Sequence, residues 1–128
     1  MSISALYPFQ SVWSLSSVPI AASGSAVVFS TVSATNPIGM YLVVVDENPG
    51  DAIITQGPGS QVQLMLNLNR TGATHVFEQG WVVGTLYANS SAIPANVIGV
   101  VFGTNNITVF NKNTTEAAQV NVVVYKLL

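Results

Sequence analysis

The chain has 128 residues, 49% of them hydrophobic, with a mean hydropathy of +0.51 and a net charge of −2. Only 6% are charged, against about 25% in an ordinary soluble domain. That length is one domain with ample core material. The three scattered basic residues, Arg70, Lys112 and Lys126, exclude a phosphate-binding patch and polybasic membrane docking. The absence of cysteine excludes disulfides, thiolate metal sites and a cysteine nucleophile.

The opening, "MSISALYPFQSVWSLSSVPIAASG", has no basic start and no sustained apolar run, so it reads as a poor signal peptide. Residues 1–24 are Ser- and Pro-punctuated and are expected to be an N-terminal arm or edge segment. Residues 25–128 are expected to form one β-sandwich domain. "SAVVFSTVSA" (25–34) is the first predicted strand, and "GMYLVVVDE" (39–47) the second. Asn48, Pro49 and Gly50 then turn the chain. "DAIITQ" (51–56) follows, ended by Gly57, Pro58 and Gly59. "SQVQLMLNLN" (60–69) alternates: Val62, Leu64, Leu66 and Leu68 share one face, with Gln61, Gln63, Met65 and Asn67 on the other. That is a half-buried antiparallel strand. "NRTG" (69–72) reads as a hairpin loop.

"ATHVFEQ" (73–79) returns, Gly80 is expected to break it, and "WVVGTLYA" (81–88) makes the next strand. Residues 89–96 read as a loop. "VIGVVFG" (97–103) and "ITVF" (107–110) follow, and "NKNTTE" (111–116) turns into the last run, "AAQVNVVVYKLL" (117–128). There Val120, Val122 and Val124 share one face and Val123, Tyr125 and Leu127 the other. With both faces apolar, this strand should be buried on both sides, either central in the sandwich or covered by a neighbouring subunit. The count is about eight or nine short strands with turn signals between them, the pattern of an all-β antiparallel β-sandwich. A single jelly roll is the favoured topology, with an immunoglobulin-like sandwich as the alternative. No window reaches the ~18 apolar residues of a transmembrane helix, so no membrane insertion is expected.

Catalytic constellations are missing. The single histidine, His75, would have to serve any Ser-His-Asp arrangement as base, and no Gly-x-Ser-x-Gly elbow exists to present a nucleophile. Asp46, Glu47 and Asp51 cluster in "DENPGD", where a hard cation is conceivable, but the spacing fits no Ca²⁺ loop and suits a polar hairpin tip. No Gly-rich phosphate loop is present. The expectation is a protein without catalytic residues, metal or cofactor. Trp13, Trp81 and the tyrosines offer rings for stacking on sugars, although Trp81 and Tyr87 are more simply read as anchors of the core and its edge.

Four Asn-x-Ser/Thr sequons make Asn69, Asn89, Asn106 and Asn113 the possible glycan acceptors. All fall at predicted turns or loop edges, where an acceptor has to be accessible. About two sequons are expected by chance in a chain this rich in Asn, Ser and Thr, so their positions weigh more than their number.

A surface this poor in charge is expected to be buried against neighbours or covered by glycans. In size, strand count, low charge and arm-like start, the chain resembles the small single β-sandwich or jelly-roll structural proteins of icosahedral archaeal viruses and phages: penton or vertex, turret and decoration proteins. The resemblance covers the whole chain and rests on no family motif. It implies a virion location, no catalysis, and partners that are copies of itself and neighbouring coat proteins; the scarcity of basic residues, separately, leads to the expectation that no nucleic acid is bound. A carbohydrate-binding, lectin-like module and a cell-surface pilus or sheath subunit are the alternatives.

Overall fold

A computed structural model gives the structure of residues 10–30, 38–47, 55–56, 61–71 and 74–127. Among these the chain forms ten strands and no α-helix: β1 (Gln10–Ile20), β2 (Ser25–Ser30), β3 (Gly39–Glu47), β4 (Thr55–Gln56), β5 (Gln61–Thr71), β6 (Thr74–Val83), β7 (Leu86–Tyr87), β8 (Val97–Phe102), β9 (Asn106–Asn111) and β10 (Ala118–Lys126). A single 3-10 turn, Ser90–Ala92, lies between β7 and β8.

The strands form two sheets, as expected of a β-sandwich. The larger runs β1-β10-β3-β5-β6 and the smaller β2-β9-β8-β4, with β7 also on β8. Two pairings nest the ends of the chain: β1 lies antiparallel to β10, and β2 antiparallel to β9. The smaller sheet is mixed, because both two-residue strands, β4 and β7, run parallel to β8. The antiparallel reading therefore holds for the larger sheet and is modified in the smaller one.

Alternation fills the space between the sheets. Val62, Leu64, Leu66 and Leu68 on β5, Tyr41, Val43 and Val45 on β3, and Val120, Val122 and Val124 on β10 are all buried. They meet Val28 and Phe29 of β2, Ile98 and Val100 of β8, and Ile107 and Val109 of β9. At one end of the core the rings of Phe29 and Phe77 stack across the two sheets at 5.4 Å. Tyr41 and Phe102 lean on this pair. Burial pushes the Tyr41 phenol above its ordinary range.

β10 is central in its sheet, between β1 and β3, but the expected burial of both its faces holds for one of them. Its inner face is fully buried, whereas Val123, Tyr125 and Leu127 on the other side are only half-buried.

Gly80 does not break its strand. The partners of Leu64 and Leu66 on β6 are Val82 and Gln79, so one extra residue is accommodated there as a bulge. Gly80 suits the bulge because a Cβ would sit 3.1 Å from the Met65 carbonyl oxygen. The break comes at Gly84, whose φ of 90° ends β6 and sends the chain to the smaller sheet as β7.

Several expectations lie outside the described residues: positions 31–34 of the first predicted strand, the turn at Asn48, Pro49 and Gly50, Asp51 and the rest of 51–54, Gly57–Gly59, the hairpin tip at 72–73, and residues 1–9. Residues 10–20 of the expected arm or edge segment form β1, an edge strand of the larger sheet.

Candidate functional site

Chemistry-bearing side chains do not converge. Among the described residues no group of three or more His, Cys, Asp or Glu is placed to hold a metal ion. No helix among them is long and apolar enough to cross a membrane. His75 pairs with Arg70 through the backbone of the β5–β6 ladder. The structure does not describe the His75 side chain, nor that of Trp13, which stands opposite Val124 in the β1–β10 register.

The four sequon asparagines are not equivalent. Asn89 is exposed at the start of the 3-10 turn, where its Oδ1 accepts hydrogen bonds from Ala92 N–H (3.1 Å) and Ser91 Oγ (3.0 Å). Asn106 opens β9 half-buried, and Thr108 Oγ1 donates to its Oδ1 (3.2 Å). Asn69 is half-buried in β5 opposite Val76. Asn113 is only 7% exposed, which corrects the expectation that all four are accessible.

The reason is a polar node that closes one end of the sandwich. The Asn111 side chain is fully buried and donates to the carbonyls of Ile20 (3.2 Å), Ala21 (3.3 Å) and Glu116 (2.8 Å). Its Oδ1 accepts from Asn113 N–H (2.9 Å). Asn113 Oδ1 in turn accepts from the backbone of Thr115 (2.9 Å) and Glu116 (2.7 Å), and its Nδ2 donates to Asn96 Oδ1 (3.3 Å). Asn96 is held at φ 64°, a left-handed conformation that Asn tolerates better than most residues. Two asparagines thus tie three loops together. Buried amides survive only when paired in this way.

The outer face of the larger sheet carries an apolar band. On the outer face of the larger sheet, register sets residues in rows. Val123, Val44, Gln63 and Val83 make one row, and Tyr125, Leu42 and Met65 the next. Met40, Asn67 and Glu78 make a third, with Leu127 N–H donating to the Met40 carbonyl (2.8 Å). Asn121 and Asp46 border the first row. The centre of the face is a band of Val, Leu, Tyr and Met, half-exposed, with its described charges at the margin.

The smaller sheet is treated differently. Ile93, just after the 3-10 turn, folds over Gly99 of β8 so closely that a Cβ there would sit 2.5 Å from Ile93 Cδ1. Both residues are buried.

At the margin of the larger sheet stands Trp81, 51% exposed. The reading of Trp81 as a core anchor is therefore corrected. The bulge at Gly80 puts Val82 against the core and leaves Trp81 and Val83 on the other side. Among the described residues the core aromatics are Phe29, Tyr41 and Phe77 instead. The apolar band and the exposed tryptophan escaped the sequence reading. A signal was present in "GMYLVVVDE", where Met40, Leu42 and Val44 make the second side of β3 as apolar as the first.

No family model and no curated protein matches the sequence. Among solved structures, the fold is similar to part of the tailspike protein of Acinetobacter phage vB_ApiP_P1, with a TM-score of 0.52 and 13% sequence identity. The match covers 93% of this chain and 21% of the tailspike chain, so this protein corresponds in fold to about a fifth of that chain.

Proposed function

We propose that this chain is a non-enzymatic structural protein of a virus particle, a capsid, vertex or decoration component. It acts by self-association and by contact with neighbouring coat proteins. The observation that carries this reading is that nearly the whole chain shares its fold with a segment of a phage tailspike, itself a component of the virion. The scarcity of charge supports it, since near-neutral surfaces associate readily. So does the half-exposed apolar band on the larger sheet. Of the sequon residues, Asn89 is the best placed to carry a sugar on such a surface, because it is the exposed one. The test is immunogold labelling of purified particles with an antibody to this chain. Labelled particles support the reading; a chain confined to the particle-free fraction overturns it.

Trp81 favours a second reading, a carbohydrate-binding module. A half-exposed indole on an edge strand is the kind of platform on which a sugar ring stacks. Binding on a broad glycan array that is lost in Trp81→Ala would support it. Silence on the array would remove it.

A further inference from the structure

We infer that the outer face of the larger sheet is the surface through which two copies of this chain pair, sheet against sheet. The inference rests on the self-association reading above and assigns it a place.

Composition comes first. The rows around Leu42 carry Met40, Val44, Met65, Val123 and Tyr125. Interface cores are enriched in aromatic residues and Met and depleted in Lys, Glu and Asp. The described carboxylates of this face, Asp46 and Glu78, stand at its border. Lys126, the basic residue at the end of β10, belongs to the opposite side of the strand, with its Nζ 6.0 Å from the centre of the Tyr41 ring.

Area comes second. The four strands β10, β3, β5 and β6, at about 4.8 Å spacing and nine residues at about 3.4 Å rise, span roughly 600 Å², the lower end of the ~600–1,000 Å² per partner of a stable interface.

Shape and charge identify the occupant. A twisted sheet packs best on another sheet of the same hand and twist, and a second copy supplies that automatically. A charged partner, whether basic protein or anionic polymer, finds no complementary charge in the band. A net charge of −2 gives two copies little reason to repel each other. On the smaller sheet Ile93 already occupies the outer side at Gly99, and the exposed Val27 has the polar Thr108 beside it in its row.

The test is sedimentation velocity on the purified full chain across a concentration series. The wild type is expected to dimerise or assemble further. Val44→Lys and Val123→Lys should each weaken association at least about tenfold, because each buries an unpaired charge at the centre of the interface. Val27→Lys, at an exposed site on the smaller sheet, should leave association unchanged. Far-UV circular dichroism checks that the fold persists. Should a lysine variant fail to fold, Leu42→Cys decides. The chain has no native cysteine, so this is a lone thiol, and maleimide should label it slowly in concentrated protein and rapidly after dilution. A wild type that stays monomeric throughout overturns both this inference and the self-association reading. A wild type that assembles while the lysine variants assemble equally well, or a Leu42→Cys thiol labelled at one rate throughout, overturns the face assignment alone.

Discussion

Single residues decide how the sandwich is closed. Asn111 is the clearest case. Its buried amide donates to three carbonyls and receives a backbone N–H from Asn113, which ties the loop after β1 to the one before β10, and Asn113 links in the loop before β8 through Asn96. Asn111→Ala leaves the Ile20 carbonyl and the Asn113 N–H without their amide partner at a buried site. It should cost on the order of 3 kcal/mol, read as a lowered midpoint in chemical denaturation. The same node shows what sequence reading misses at this scale. "NKNTTE" has the composition of a solvated turn, and its asparagines are written identically to exposed ones. Only the fold, by bringing residues 20–21 and 96 alongside, makes two of them interior. Local sequence carries no record of partners that arrive from far along the chain.

At the scale of elements, period-two patterning made most strands legible. The alternation in β5 and the valine ladder of β10 set which side chains are buried, and the structure agrees at each of Val62, Leu64, Leu66 and Leu68 and at Val120, Val122 and Val124. Legibility failed where a glycine altered the period. Gly80 reads as a stop, yet it accommodates a bulge that reverses the side on which Trp81 falls. Gly84, inside an apparently continuous run, is where the chain changes sheets. Gly99 has a third role, as a floor for Ile93. Gly99→Val would drive Ile93 from its seat and, if the turn cannot move, should destabilise by about 1–3 kcal/mol through overpacking. A thermal melt measures this, and the paired Gly99→Val, Ile93→Ala variant should melt higher than Gly99→Val alone if steric conflict is the cause. The apolar second side of β3 is the candidate surface, and it was visible in principle as a run with no polar alternation. A run of that kind reads equally as a strand buried within its own domain, and choosing between the two requires the sheet order.

At the scale of the whole molecule, the sandwich class was legible because composition and strand spacing both point to it. The order of the strands was not, since hydrophobic alternation fixes which side a residue faces and says nothing of its neighbour across the sheet. The mixed pairing of β4 and β7 on β8 is of this kind: two strands of two residues each leave almost no trace in the sequence. The surface shows the same division. The chain is poor in charge, and the outer face of the larger sheet carries a half-exposed apolar band, while Val27 stands exposed on the smaller sheet.

The nesting of first strand with last and second with ninth also governs how the molecule is made. On the ribosome, β1 and β2 emerge before β3 to β8, yet the edges they need belong to β10 and β9. Neither early strand can be sealed into its sheet until β9 and β10 have been made. Closure of both sheets is therefore dominated by contacts remote in sequence, which makes folding slow. For that interval the apolar strands are open to copies on neighbouring ribosomes. Until β1 has met β10 and β2 has met β9, the surfaces those pairings cover stay open.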